Sequence, residues 1–272
     1  MKRLVPKKPI WLAACAAVGL LALGIAFWLR SRHPWNPGRV AGGLLFGAAA
    51  ALLVVCSLLY PLRRPLMSFP FGTAQRWTQF HIYGGCLSFL FVLIHQGFRL
   101  PSGTVGWLLL ILSAWATLSG LLGVWLQKWI PALMAGNLRV EAIFERIPEL
   151  IAKVHAESNA LVEGSSEVLD RFYRDDIEPA LAGVQVSWDY LVDVSGGRER
   201  RLAPFGRMAA FLTPEEKPRL EDLKTLFAEK LELDAQYSLQ RVLRLWILLH
   251  VPPSVLLFGL MLYHITVNLY YR

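Results

Sequence analysis

Carboxylate side chains are absent from most of this chain. All 20 Asp and Glu residues lie between Glu141 and Asp234, and none occurs before or after that stretch. Proton pathways through membranes commonly use buried Asp or Glu. A transporter or channel for protons is therefore disfavoured, because the apolar segments offer only histidine, tyrosine, glutamine and hydroxyl groups.

Cysteine is scarce as well. Cys15, Cys56 and Cys86 lie in separate apolar segments, and the chain has no CxxC or CxxCH motif. This spacing predicts neither an iron–sulfur cluster, nor covalent haem attachment, nor a disulfide. The Gly196-Gly197 pair also lacks the GxGxxG or Walker pattern, so no phosphate-binding loop is predicted.

Long apolar runs dominate what is present. Hydrophobic residues make up 55% of the 272 residues, and the mean hydropathy is +0.42, as in integral membrane proteins. Five segments are long enough to cross a hydrocarbon core of about 30 Å. They are Ile10–Leu29, Val40–Tyr60, Phe80–Phe98, Val105–Leu126 and Leu245–Tyr270. We therefore predict an all-α integral membrane protein with a five-helix transmembrane bundle.

The acidic stretch divides the chain into three parts. Residues 128–244 carry 16 Lys and Arg against all 20 acidic residues, whereas the remainder carries 12 Lys and Arg and no acid. We predict transmembrane helices one to four over residues 1–126 and a mainly helical soluble insert over 127–244. Residues 245–272 would form the fifth helix and complete the bundle.

Local patterns predict the organisation of the insert. An apolar stripe over 140–154 indicates one helix, and residues 166–182 indicate a second. A helix start at Thr213, followed by proline and two glutamates, opens a third helix that can run on into the fifth crossing. Alternating apolar residues over 184–192 predict a strand, with a turn at 195–197.

Positive charge predicts the orientation. One side of the membrane would hold the insert together with Lys2, Arg3, Lys7, Lys8, Arg63, Arg64 and Arg76. The cytoplasmic side of a membrane protein carries the excess of Lys and Arg. We therefore expect the amino terminus and the soluble insert to lie in the cytoplasm. We expect the protein itself to lie in the inner membrane of a bacterium.

Four histidines occupy the apolar segments at matched spacing. His81 and His95 lie fourteen residues apart in the third segment, and His250 and His264 repeat that spacing in the fifth. Fourteen residues at about 100° each return to within roughly 40° of the starting direction and rise about 21 Å. The third and fifth segments should run in the same direction. His81 should therefore face His250 near the inner boundary, and His95 should face His264 near the outer one.

Paired imidazoles from two helices suit the axial positions of a haem iron. A single buried histidine could equally serve a hydrogen bond between helices, but four at equal spacing and depth favour ligation. We expect His81 with His250, and His95 with His264, to ligate the iron of two non-covalent haems b.

Further candidates lie along the third segment. Gly84 and Gly85 are one turn beyond His81, where they would leave room for a macrocycle or would serve close helix packing. Arg76 and Arg99 bracket the segment. They are candidates to bind haem propionates, or else boundary arginines that extend to the headgroups.

The pattern His81-x13-His95 with His250-x13-His264 resembles the bis-histidine cytochrome b group. Two segments precede the first ligand helix and one lies between the ligand helices, which is most similar to the transmembrane domain of ferric reductases and NADPH oxidases. That family usually has six crossings, and here a large insert precedes the last helix. We expect no flavin- and nicotinamide-binding domain after that helix. We therefore expect a quinol or another protein as the electron donor.

These observations predict an electron-transfer subunit of an oxidoreductase complex. It would carry electrons across the lipid bilayer from a quinol or a cytoplasmic protein to an outer acceptor such as a c-type cytochrome. Other subunits of that complex are expected partners, nucleic acid is not, and no catalytic residue is assigned. The alternative function is a transporter or channel that uses the histidines for protons or metal ions.

Overall fold

The computed structural model describes residues 9–32, 41–62, 73–137, 143–191 and 196–271. Within those ranges the regular structure is entirely helical, which confirms the predicted all-α class. The main helices are α1 (Pro9–Arg32), α2 (Ala41–Leu58), α3 (Ala74–His95), α4 (Thr104–Asn137), α5 (Ile147–Val162), α6 (Glu167–Phe172), α7 (Glu178–Leu181), α8 (Gly196–Met208) and α9 (Lys217–Tyr270). A π-helical segment joins α6 to α7, and short 3₁₀ segments cover Tyr60–Leu62, Phe144–Arg146 and Trp188–Leu191.

Four of these helices are long and apolar enough to cross a membrane. The candidate spans are Ile10–Arg32, Ala74–His95, Thr104–Met134 and the apolar part of Lys217–Tyr270. Helix α2 is also apolar but shorter. Its 18 residues rise about 27 Å, slightly less than a hydrocarbon core of about 30 Å. The chain is therefore a helical membrane protein with four candidate membrane-spanning helices.

The chain forms two compact units. Unit 1 contains Met1–Val124 and Trp246–Arg272, and unit 2 contains Trp125–Leu245. These limits lie close to the boundaries that the charge distribution suggests, at 126/127 and 244/245. Helices α4 and α9 each contribute residues to both units.

Helix α3 packs closely along α2 and α1 in unit 1. The buried cluster between them consists of Ala22, Ala26, Phe46, Ala50, Phe91 and Ile94. The Ser88 hydroxyl of α3 also donates a hydrogen bond to the Ala50 carbonyl of α2, over 3.2 Å. Small residues and hydroxyl contacts let membrane helices approach closely. The backbone that carries His81 and His95 is thereby fixed against α2.

Unit 2 has an apolar core of its own. Its fully buried members include Ile147, Leu169, Leu181, Phe205, Leu220 and Leu223. The predicted second helix is present as α6, the π-helical segment and α7, with Ser166 as its amino-terminal cap. The third helix begins at Lys217 rather than directly after Thr213, because residues 214–216 form a turn, and it continues to Tyr270 as expected. The first is observed from Ile147 as α5, and residues 138–142 lie outside the described ranges.

The predicted strand over 184–192 and the turn at 195–197 are wrong. Residues 184–187 are irregular, a 3₁₀ turn follows, and Gly196 begins α8. The backbone N–H of Gln185 donates to the Asp234 carboxylate (3.0 Å), and that of Ser187 donates to the Ser238 hydroxyl (3.3 Å). Side chains of α9 thus supply the hydrogen bonds that a partner strand would have made. Residues 192–195 lie outside the described ranges.

A buried ion pair on α9 anchors this segment. Lys230 Nζ lies 2.5 Å from Asp234 Oδ2, and both side chains are fully buried. Burial lowers the pKa of Lys230 and raises the pKa of Asp234, while the hydrogen bond between them opposes both changes. Glu232 pairs with Arg198 of α8 over 3.0 Å. The polar residues of α9 therefore hold the rest of unit 2 around this helix.

Replacing Asp234 should destabilise unit 2 strongly. Asp234→Ala leaves the Lys230 ammonium buried without its carboxylate, a loss that costs about 3–5 kcal/mol. The control Glu221→Ala breaks an exposed ion pair with Lys224, worth about 1 kcal/mol or less. Pulse proteolysis of the full chain in urea measures the midpoint for unit 2. Equal midpoints for the two variants would contradict a structural role for the buried pair.

Candidate functional site

The structure brings His81 of α3 and His250 of α9 together. Their ring centres lie 6.2 Å apart, and the ring planes are nearly perpendicular at 84°. A metal ion held between two imidazole nitrogens at about 2.0 Å each separates the ring centres by roughly 6 Å. The separation of these two rings is therefore compatible with a shared metal between them.

Helix α4 and the preceding turn of α9 enclose the His250 ring. The Ser119 hydroxyl lies 2.9 Å from Nδ1 of His250. The Trp246 indole stacks on the imidazole with ring centres 5.6 Å apart, and its Nε1 donates to the Ser119 carbonyl over 2.7 Å. A Cβ atom at Gly120 would lie 3.4 Å from Cε1 of His250. The ring is thus held on several sides by unit 1.

Two prolines follow His250 without ending the helix. Because proline has no N–H, Pro253 leaves the Leu249 carbonyl without its helical donor. The Trp115 indole of α4 donates to that carbonyl over 2.8 Å. The Ser254 hydroxyl donates to the His250 carbonyl over 2.7 Å. The carbonyl that Pro253 leaves without a helical donor is therefore satisfied by a side chain of α4.

The His81 ring stacks on Tyr60, in the 3₁₀ segment after α2. The ring centres are 4.7 Å apart and the planes differ by 28°. The Tyr60 and Thr78 hydroxyl oxygens lie 3.1 Å apart, and Thr78 donates to the Ala74 carbonyl over 3.0 Å. A hydroxyl has one hydrogen, so Tyr60 donates to Thr78. Sequence reasoning missed Tyr60, although its place at the end of an apolar segment is typical of interfacial tyrosine.

The His95 ring packs into a notch on α2. Its Nδ1 lies 2.7 Å from the Gly43 carbonyl oxygen. Because a carbonyl only accepts, Nδ1 carries the proton and Nε2 bears the lone pair that a metal requires. A Cβ atom at Gly47 would lie 2.9 Å from two atoms of the ring. Sequence reasoning missed both glycines, although their spacing of four residues matches the close-packing motif of membrane helices.

His264 is partly buried on α9. The Asn268 amide nitrogen lies 3.3 Å from Nδ1 of His264 and 3.5 Å from Nε2, so it singles out neither ring nitrogen. If His81 faces His250 and His95 also faces His264, then α3 and α9 must run parallel.

The two histidine-bearing helices are spaced apart. Among the described residues of unit 1, α3 packs closely on α2 but not along α9. A Cβ atom at Gly84 would meet Leu53 of α2 at 3.8 Å, whereas one at Gly85 would meet nothing within 4 Å. Gly84 therefore lies in a helix contact, and Gly85 lies beside open space.

The candidate arginines lie at opposite ends of α3. Arg76 is in the first turn, Arg99 follows the last residue of the helix by four, and both are exposed. The Arg30 guanidinium donates to the Gly97 carbonyl over 3.2 Å and thereby ties α1 to the chain after His95. The positions of Arg76 and Arg99 suit contacts with either haem propionates or lipid headgroups.

Other histidines are not part of this arrangement. His155 lies in unit 2, 3.9 Å from Glu178, and His33 lies outside the described residues. Within the described ranges, no group of three or more His, Cys, Asp or Glu is arranged to hold a metal ion. A bare ion such as zinc usually takes three or four protein ligands. Haem iron takes only its axial ligands from the protein, so sites built of two histidines suit haem.

Comparison with models of protein families, with curated proteins and with solved structures finds no match to this chain. The resemblance to bis-histidine cytochromes therefore depends on the histidine pattern and on the geometry of the paired rings. That geometry shows one facing pair, His81 of α3 with His250 of α9, in a part of the chain without carboxylates.

Cross-linking should detect the inner pair without any cofactor. His81→Cys with His250→Cys, in a chain whose native cysteines are replaced by alanine, should react with a short bifunctional thiol reagent. Cleavage at a protease site inserted beside Gly164, in an exposed turn of unit 2, should then leave the two fragments joined on a denaturing gel.

The matched control is His81→Cys with His264→Cys, which lie at different levels of the bundle. Fragments of this control should separate after cleavage. Equal cross-linking of both pairs, or of neither, would contradict the pairing of His81 with His250.

Proposed function

We propose that the protein is a membrane b-type cytochrome that carries electrons across the bilayer through two haems b. The observation that supports it best is the facing pair of His81 and His250, 6.2 Å between ring centres, on two helices that repeat a histidine fourteen residues later. Buried histidine in lipid is costly and marks a functional site.

The histidines would be the axial ligands, His81 and His250 on the inner side and His95 and His264 on the outer side. When bound, each haem supplies iron that gains and loses one electron. His95 is suited to ligation because its Nδ1 proton is directed at the Gly43 carbonyl. The open space beside Gly85 and the spacing of α3 from α9 would accommodate a flat macrocycle. Arg76 and Arg99 would bind propionates at the two boundaries.

Helix α2 would be the fifth crossing. It packs along the length of α3, and its Gly43 carbonyl binds His95, the last residue of α3. A helix paired with a spanning helix over that distance belongs in the same layer, although its apolar stretch is short. Five crossings would place the amino terminus and the unit 2 insert in the cytoplasm of a bacterium, with the carboxyl terminus outside.

The protein would serve as one subunit of an electron-transfer complex. The donor would be a quinol or a cytoplasmic protein, and the acceptor an outer protein such as a c-type cytochrome. The absence of carboxylates from unit 1 weighs against the alternative of a proton channel, because histidine would be its main titratable group.

Removing one outer ligand should remove one haem. For His95→Ala we expect about one haem b per chain instead of two, since the inner pair keeps its ligands. The pyridine haemochrome assay on purified protein measures the ratio. The control His155→Ala, in unit 2, should keep both haems. Loss of both haems from folded His95→Ala protein would contradict two independent sites.

Filling the notch on α2 should also cause loss of the outer haem, although no ligating histidine is replaced. Gly47→Ala introduces a Cβ atom 2.9 Å from the His95 ring and should displace it from Gly43. We expect the outer haem to be lost or weakly held. Gly24→Ala is the control, because a Cβ atom there meets nothing within 4 Å. If Gly47→Ala retains the outer haem at full occupancy, this would contradict the position of the His95 ring against Gly43 and Gly47.

A further inference from the structure

We propose that Ser119 of α4 is a positioning residue that keeps Nδ1 of His250 protonated and so presents Nε2 to the inner haem iron. The inference rests on the proposed cytochrome function and deepens it. Helix α4 carries no histidine and supplies no ligand. Its contribution is to determine which nitrogen of His250 can bind iron.

The position of the Ser119 hydrogen follows from its neighbours. The Ser119 Oγ atom lies 2.6 Å from the Trp115 carbonyl oxygen, 3.3 Å from the Ala116 carbonyl oxygen and 2.9 Å from Nδ1 of His250. Both carbonyls only accept, and a hydroxyl has one hydrogen to donate. If that hydrogen pointed at His250, two oxygens would face each other at 2.6 Å without a hydrogen between them. Ser119 therefore donates to the carbonyl and accepts the proton of His250 Nδ1.

The consequence for His250 is a single tautomer. With the proton on Nδ1, the lone pair lies on Nε2, the nitrogen on the far side of the ring. His95 reaches the same tautomer through the Gly43 carbonyl. At the inner site, the Ser119 hydroxyl accepts the Nδ1 proton of His250, as the Gly43 carbonyl accepts that of His95.

Two tryptophans fix the positions of Ser119 and His250 relative to each other. Trp115 accepts from Ser119 through its carbonyl and donates through its indole to Leu249, whose carbonyl is released by Pro253. Trp246 stacks on His250 and donates to the Ser119 carbonyl. The two indole hydrogen bonds join α4 to the turn of α9 that contains His250, so the hydroxyl and the imidazole cannot slide apart independently.

A hydrogen bond from Nδ1–H makes an imidazole a more basic ligand. A more basic axial ligand favours ferric over ferrous iron and lowers the reduction potential of the inner haem. Ser119→Ala should therefore shift one of the two midpoint potentials to a more positive value and leave the other unchanged. Ser119→Thr retains the hydroxyl and should restore the wild-type potential.

The matched control is Ser113→Ala. Ser113 is a buried serine on the same helix whose hydroxyl donates to the Leu110 carbonyl over 2.9 Å. Potentiometric titration of the purified holoprotein should give wild-type potentials for this variant. Ser119→Ala with both potentials unchanged, or Ser113→Ala with the same shift, would overturn the inference.

A second readout needs no haem. Nitrogen-15 NMR of histidine-labelled apoprotein should find His250 of the wild type protonated at Nδ1, and a mixture of tautomers in Ser119→Ala. His250 protonated at Nε2 in the wild type would overturn the role of Ser119, even if the variant does not fold. Wild-type protein that binds no haem but has the expected tautomer would refute the cytochrome function and leave the contact intact.

Discussion

An imidazole buried in hydrocarbon needs partners for its ring nitrogens, and the contacts of His95 and His250 in unit 1 follow from that constraint. A neutral ring has one donor and one acceptor, and each costs free energy if it lacks a partner in lipid. For His95 the donor is taken by a carbonyl of α2, and for His250 by a hydroxyl of α4. In both rings this assigns the lone pair to Nε2. Helices α2 and α4, which carry no proposed haem ligand, thus determine which nitrogen of His95 and His250 can bind iron.

Helix α9 links the functional residues to the rest of the chain through one continuous backbone. Its first half carries Lys230 and Asp234, buried in unit 2, and its second half carries His250 and His264. The polar residues of the first half bind the backbone of Gln185 and Ser187 and the guanidinium of Arg198 in α8. The second half depends on α4, where Trp115 compensates for the carbonyl that proline exposes.

The repeating features of this molecule could be predicted from sequence, and the single contacts could not. Helix periodicity and membrane thickness were enough to find the long apolar helices and to expect His81 opposite His250. The strand over 184–192 failed because alternating apolar residues do not reveal that Asp234 and Ser238, about fifty positions away, satisfy the backbone there. Ser119, Gly47 and Tyr60 went unnoticed for the same reason. Gly47 and Tyr60 do belong to local patterns of membrane helices, but no local pattern records which side chain each of the three residues contacts on another helix.

Haem content of the purified wild-type protein tests the central claim most directly. The protein should be expressed with haem supplied, and haem per chain measured by the pyridine haemochrome assay alongside a dithionite-reduced minus oxidised spectrum. The account predicts about two haems b per chain, one for each histidine pair. Folded protein without haem would contradict it, and the histidines would then have to serve transport or helix packing.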